Sequence, residues 1–369
     1  MKRLLLTLAL AGAMLVAGAP AQALATHSDA SAVPGRDDLR AALQPVLDAG
    51  APGAIALVRR GEQLRRVAVG TADVGTGREM SADDHVRVGS VTKTFVAVVA
   101  LQLVAERRLR LDDPVQRWLP GVLPYGSSVT VRQLLNHTSG VPEYVEKLLQ
   151  IIASQPGTPW LEHRTPQELV GLVAGDPPLF AAGSGWQYSN TNYVLVGMII
   201  ERVTGRGLAA EVDRRIFDRL GLRHTTFPID EATLPRPAAR GYLPGADGVP
   251  VDVTEYNPSA FWAAGAIVST VDDLARFYRA LLTGALLPPA QLRQMLTYVD
   301  AGGLAYGLGI FTVQTPCGPA IGHNGAVPGF GTDVFTSPDG RRQVVLASNL
   351  LPGAALAAQE SLVGQLFCR

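Results

Sequence analysis

The stretch Val88-Gly89-Ser90-Val91-Thr92-Lys93-Thr94-Phe95 decides the reading of this 369-residue chain. It sets Ser90 and Lys93 three residues apart at the head of a helix, on one face and within touching distance. A serine hydroxyl is a weak nucleophile until a base takes its proton, and a desolvated lysine amine can be that base. Lysine is scarce here: Lys2, Lys93 and Lys147 stand against 29 arginines. Arginine does not release its proton in a protein, so lysine at this position is the choice that permits proton transfer. The helix body that follows, 95–104, is apolar almost all round, which predicts a central helix. Its first turn offers free backbone N–H groups and the positive end of the helix dipole beside Ser90. Taken alone, Ser-x-x-Lys is also an ordinary helix start with Ser90 as its N-cap.

Two later groups bear on that choice. Tyr188-Ser189-Asn190 follows the turn residues Gly183-Ser184-Gly185. In an extended segment Tyr188 and Asn190 point the same way. A phenol beside a lysine can relay a proton to a leaving group, and an amide offers a donor and an acceptor to a substrate. A buried tyrosine next to a helix-capping asparagine is the plainer alternative. His323-Asn324-Gly325 falls on a late strand, and Gly325 permits close approach of a ligand to the backbone.

Ser-x-x-Lys, Tyr-x-Asn and a basic residue-x-Gly, in that order, form the motif set of the penicillin-recognising serine hydrolases. The chain resembles the class C β-lactamase and D-alanyl-D-alanine carboxypeptidase family. The likeness is strongest to the actinomycete secreted DD-carboxypeptidase/transpeptidases, over nearly the whole mature chain. Arg87-Val-Gly-Ser-Val-Thr-Lys, Tyr188-Ser-Asn-Thr-Asn-Tyr, Tyr306-Gly-Leu-Gly and the two cysteine positions carry it, and His137-Thr-Ser-Gly140 matches a structural hallmark. The resemblance implies an α+β fold of the β-lactamase/penicillin-binding-protein kind, an antiparallel sheet flanked by helices with a mainly helical insertion lobe. It implies that Ser90 is acylated, that Lys93 and Tyr188 share the proton work, and that His323 assists Tyr188 electrostatically or passes a proton onward. Asn190 would position the substrate amide, the N–H groups of Ser90 and Ala326 would form the oxyanion hole, and Trp262 would be an aromatic wall or a core residue. The expected activity is that of a secreted D-alanyl-D-alanine carboxypeptidase-like peptidase. An esterase, amidase or β-lactamase on the same fold is the alternative, and a non-catalytic penicillin-binding sensor domain a further one. A sensor would be expected to lose Lys93 or Tyr188, and both are present.

The departures from the pattern concern substrate. Carboxypeptidases of this kind hold the free carboxylate of the terminal D-alanine with an arginine and threonines. This chain has Phe311, Asn324 and Ala326 at those places, with Gly325 between the last two. A lost charge-assisted partner costs carboxylate binding on the order of 2 kcal/mol. The acyl-transfer groups are therefore complete while the carboxylate anchor is missing, and an ester, an amide or an internal peptide bond would suit Phe311 better.

Composition narrows the partners. Net charge is zero and charged residues make up 17% of the chain, so no surface for nucleic acid is expected. Residues 1–25 read as a signal peptide, with Lys2-Arg3, an apolar run over 4–18 and small-x-small cleavage sites at 21–23 and 23–25. An exported protein without a membrane anchor follows, with 26–369 as its hydrolase domain. Strand signals at both ends assign 26–110 and 265–369 to an α/β lobe and 111–264 to a helical lobe. In an oxidising compartment Cys317 and Cys368 are expected to pair, tying the C-terminal helix to a strand; two free thiols are the alternative. A Gly-x-Ser-x-Gly elbow and a His-Glu-x-x-His pattern are both missing, so neither an α/β-hydrolase nor a metal or other cofactor is expected. The expected partner is a small-molecule or peptide substrate (a D-Ala peptide, ester or β-lactam), taken by a monomer. Along the chain, 37–47, 190–204, 208–220 and 351–367 read as helices, and 306–313 as one strand.

Overall fold

A computed structural model of the protein describes residues 33–245, 248–351 and 353–368; the proposed signal segment lies outside them. Among the described residues nine strands form one antiparallel sheet. In chain order they are Gly53–Arg60 (β1), Gln63–Asp73 (β2), Arg78–Glu79 (β3), Val299–Asp300 (β4), Ala305–Tyr306 (β5), Phe311–Thr315 (β6), Gly318–Val327 (β7), Phe330–Thr336 (β8) and Arg342–Ser348 (β9). Their order across the sheet is β3-β2-β1-β9-β8-β7-β6-β5-β4. Strands from the two ends of the chain meet where β1 pairs β9, with Ile55 opposite Ala347 and Leu57 opposite Val345.

The period-2 alternation of the strands divides the apolar residues between two faces. Ala54, Ala56 and Val58 of β1, with Val344 and Leu346 of β9, pack on Leu39, Leu43 and Val46 of helix Arg36–Asp48 (α1). Leu362, Val363, Leu366 and Phe367 of the C-terminal helix Ala354–Cys368 (α5) complete that layer. Ile55, Leu57, Val345 and Ala347 point to the other face, into a larger core. That core is built on helices Thr92–Ala105 (α2), Asn190–Thr204 (α3) and Val271–Leu282 (α4). Every residue of α2 from Thr92 to Leu103 is buried, as its all-round apolar sequence requires. Helix α3 stops at Gly205, which takes the left-handed conformation at φ 72°. Among the described residues no helix is long and apolar enough to cross a membrane.

Three local features differ from the sequence reading. Residues 306–313 are not one strand. Ala305–Tyr306 and Phe311–Thr315 are the two arms of a hairpin in which Tyr306 pairs Phe311. The chain reverses because Gly309 adopts φ 71°, and a Cβ at Gly307 would lie 2.2 Å from the carbonyl of Met295. The 208–220 helix is interrupted by a π turn at Asp213–Phe217. Cys317 sits in the turn between β6 and β7 rather than on a strand. It is bonded to Cys368 of α5 with Cα atoms 5.6 Å apart, which closes a loop of 51 residues.

Candidate active site

The site is assembled where the start of α2 meets the start of α3 and the end of β7. Ser90 lies in the tight turn Gly89–Val91 that leads into α2. Gly89 has φ 53°, and a Cβ there would come within 2.8 Å of the Ala326 nitrogen. A Cβ at Gly325 would fall 2.0 Å from the Val88 carbonyl and 3.1 Å from the Ser90 nitrogen. The two glycines thus let β7 press directly on the serine turn, bringing the backbones of Ser90 and Ala326 side by side. Two such N–H groups are the usual makings of an oxyanion hole, each worth roughly 3 kcal/mol in a transition state.

Lys93 is fully buried one helical turn from the serine. Its Nζ donates to Ser90 Oγ at 2.9 Å, Asn190 Oδ1 at 2.7 Å and the Ala264 carbonyl at 2.8 Å. These three acceptors use all three protons of the ammonium. Burial opposes the charge and lowers the Lys93 pKa to about 7, while Glu143 pulls it back up. An amine poised near neutrality can take the serine proton. Tyr188 is also bonded to Ser90, and burial pushes its phenol well above the ordinary range. It is a neutral hydroxyl at working pH, suited to relaying a proton and not to serving as a phenolate base. Lys93 Nζ lies 4.9 Å from the centre of the Tyr188 ring.

Asn190 opens α3, and both ends of its side chain are engaged. Its carbonyl accepts from Lys93; its Nδ2 and its backbone N–H donate to Glu143 Oε2 at 3.0 and 2.6 Å. One amide proton remains for a substrate. Glu143 therefore caps α3 with negative charge and holds Asn190 against Lys93. Burial raises the Glu143 pKa and lowers that of Lys93, while each charge favours the other and the Asn190 N–H groups favour the carboxylate.

His323 is buried on β7 with its ring centre 6.5 Å from that of Tyr188. Burial and the neighbouring Lys93 lower its pKa to about 3, so the ring is neutral. Its Nδ1 meets the Asn324 carbonyl, which makes that nitrogen the donor and Nε2 an acceptor for Tyr306 Oη at 2.9 Å. Tyr306 Oη in turn lies 3.3 Å from Nε2 of His137. The other nitrogen of His137 accepts from the Ser189 backbone and Asn192 Nδ2. A directed chain results, from His137 through Tyr306 to His323. His323 has no charge to lend Tyr188, contrary to the electrostatic role expected for it; its bonded partner is Tyr306.

Three expected substrate contacts are placed elsewhere. Trp262 is 5% exposed, with its ring against Gly197 of α3, so it is a core residue and not a pocket wall. Phe311 pairs Gly322 and Asn324 pairs Asp333, which directs both side chains to the face covered by α5. Phe311 is 3% exposed among the rings of Tyr306, His323 and Phe335. Asn324 Nδ2 donates to Glu360 Oε1 of α5 at 3.1 Å. Gly325 and Ala326 remain at the serine turn. Sequence reasoning missed Glu143, Ala264 and Glu360. Each acts through a partner far away in the chain, and no local spacing marks any of them. Tyr306 was within reach, since Tyr306-Gly-Leu-Gly stood out as a motif.

Comparison with known proteins agrees with this geometry. The profile of the family described as Beta-lactamase matches residues 37–366. The chain is 37% identical over 280 residues to Esterase EstB of Burkholderia gladioli, covering 68% of this chain and 70% of the esterase. A D-stereospecific amidohydrolase from Streptomyces sp. superposes with a TM-score of 0.83 at 38% identity, over 89% of this chain and 98% of that one. D-amino acid amidase from Ochrobactrum anthropi SV3 follows at a TM-score of 0.77 and 28% identity, over 88% and 94% of the two chains. With the family profile covering almost all of the described residues, and the serine, lysine and tyrosine in mutual contact, the chain belongs to the β-lactamase family of serine hydrolases, alongside the penicillin-binding proteins.

Proposed function

We propose that the protein is an amidase or esterase that forms an acyl-enzyme on Ser90 and takes substrates with no free carboxylate beside the scissile bond. In the reaction Lys93 accepts the Ser90 proton as Oγ attacks the carbonyl carbon. The negative oxygen is held by the N–H groups of Ser90 and Ala326. Tyr188 relays the proton to the departing amine or alcohol, and water then releases the acid by the reverse route. The observation that carries the substrate class is the Asn324–Glu360 hydrogen bond. Where a carboxypeptidase is expected to hold a carboxylate, this chain has an amide turned to the α5 face and engaged there by an acid, beside the buried Phe311, so neither side chain serves as a carboxylate anchor. The likeness to an esterase and to a D-stereospecific amidohydrolase supports the same reading. The motif set favours a D-alanyl-D-alanine carboxypeptidase as the second reading.

The test is a rate panel on one D-acyl group presented as free-acid peptide, amidated peptide and ester. The amide and ester should be cleaved with kcat/KM at least about tenfold above the free acid. Preference for the free acid would instead establish the carboxypeptidase. We also propose that 1–25 is removed on export and that the protein acts as a monomer. N-terminal sequencing of secreted protein and light scattering would check these.

A further inference from the structure

Ahead of α3, the segment 179–189 runs along the turn 137–140 and is tied to it at four points. The N–H groups of Leu179, Gly183 and Gln187 donate to the carbonyls of Gly140, Thr138 and His137 at 2.8, 2.8 and 3.1 Å, and the Ser189 N–H donates to His137 Nδ1 at 3.2 Å. Phe180 packs on Gly185, where a Cβ would lie 3.1 Å from its ring. The segment is thereby fixed beside the reaction centre. Trp186 and Tyr188, two residues apart, share one side of it, with ring centres 6.4 Å apart.

Four rings neighbour Tyr188 among the described residues: His137, Trp186, Tyr306 and His323. His137, Tyr306 and His323 are fully buried, and of the four Trp186 alone is half-buried. Its ring meets those of Tyr306 and His137 with centres 5.8 and 6.0 Å away, and the rest of the indole is open. Tyr188 is bonded to Ser90 and hands its proton to the departing atom, which must come within hydrogen-bond reach of the phenol oxygen. The indole is then the aromatic surface next to the remainder of the departing group. A flat apolar ring laid there takes its own surface and that of the indole out of water, and an offset or edge-on contact between the rings adds to the gain.

We propose that Trp186 is a specificity residue on the leaving-group side of Ser90, where its indole favours departing alcohols or amines that carry an aromatic ring; the inference rests on the amidase or esterase reading and names the leaving group that site prefers. With an aryl ester, Ser90 Oγ forms the new bond to the acyl carbon, and the bond from that carbon to the aryl oxygen breaks with its electron pair. The proton that left Oγ reaches the aryl oxygen through Tyr188, and the ring of the departing phenol lies against Trp186.

The test uses phenyl acetate and 2-naphthyl acetate, whose leaving groups are of similar acidity but differ by one fused ring. Both give the same acyl-enzyme, so kcat/KM compares the leaving groups alone; each value is divided by the rate of alkaline hydrolysis of the same ester. The wild type should favour the naphthyl ester by about tenfold, the yield of roughly 50 Å² of apolar contact. Trp186→Ala should bring the ratio close to one, and Trp186→Phe should leave it in between. The ratio of phenyl acetate to phenyl butyrate, which reports the acyl side, should stay at its wild-type value. A wild-type ratio of one or less, a ratio that both variants leave unchanged because the two esters slow equally, or a matching change in the acyl ratio overturns the leaving-group role while the serine chemistry stands. If Trp186→Ala does not fold, Trp186→Phe decides alone, a lowered ratio supporting the role and an unchanged one overturning it. If the wild type hydrolyses neither ester faster than Ser90→Ala, the amidase or esterase reading fails, and the leaving-group role fails with it.

Discussion

Replacing Glu143 by glutamine should move the acid limb of the pH–rate profile downwards. Lys93 works as a base only when deprotonated, so kcat/KM for a neutral ester rises with pH through the Lys93 pKa, which lies at about 7. Burial lowers that pKa, and the Glu143 carboxylate opposes the lowering by favouring the ammonium. The two groups are bridged by one amide: Lys93 Nζ to Asn190 Oδ1 is 2.7 Å, and Asn190 Nδ2 to Glu143 Oε2 is 3.0 Å. The charges are therefore roughly 7 Å apart, which at an effective dielectric of about 20 is worth roughly 2 kcal/mol. Removing the charge should shift the limb down by about 1 to 2 pH units. Glutamine keeps an oxygen for the Asn190 N–H groups, so the position of the limb, and not the height of the plateau, reports the charge. The assay is initial-rate hydrolysis of a neutral aryl ester between pH 5 and 9. A limb that stays in place or moves up would refute the assignment of Lys93 as the base and of Glu143 as its charged partner.

Other consequences follow from single contacts. Lys93→Arg should keep positive charge beside Ser90 yet lower the rate of acylation by about 10²–10⁴-fold, because a guanidinium does not accept the serine proton; stopped-flow acylation reads this directly. Gly325→Ala should abolish acylation, since its Cβ would meet the Val88 carbonyl at 2.0 Å and displace β7 from the serine turn. Replacing both Cys317 and Cys368 by serine should lower stability by on the order of 4 kcal/mol, the chain-entropy value for a 51-residue loop, read as an earlier urea midpoint.

The reaction centre was legible where chemistry is local. The i, i+3 spacing of Ser90 and Lys93 and the all-apolar body of α2 each state their geometry within one turn of helix. The same holds for the close approach at Gly325, because a glycine within a strand marks a close backbone contact. The short continuous apolar runs of β1 and β9 likewise made the sheet readable from both ends of the chain. What the sequence left open depends on register and on distant partners. Whether Asn324 and Phe311 face the serine or α5 depends on the parity of their pairing with Asp333 and Gly322, and a shift of one residue would reverse it. Glu143 reaches Asn190 across 47 residues, and Glu360 reaches Asn324 across 36. Trp262 is an aromatic whose burial is set by the absence of a side chain at Gly197, which no pattern around position 262 reveals. The break at 307–310 was hidden because its flanking residues are as apolar as a strand, and Gly307 and Gly309 were the only sign of it.

The central claim is that Ser90, activated by Lys93, is the nucleophile. Intact-protein mass spectrometry after exposure to a fluorescent penicillin and to an activated aryl ester tests it most directly. The account predicts one covalent adduct on the wild type with at least one of the two reagents, located on the peptide containing Ser90, and none on Ser90→Ala. An unmodified wild type with both reagents, or an equal adduct on Ser90→Ala, would contradict it.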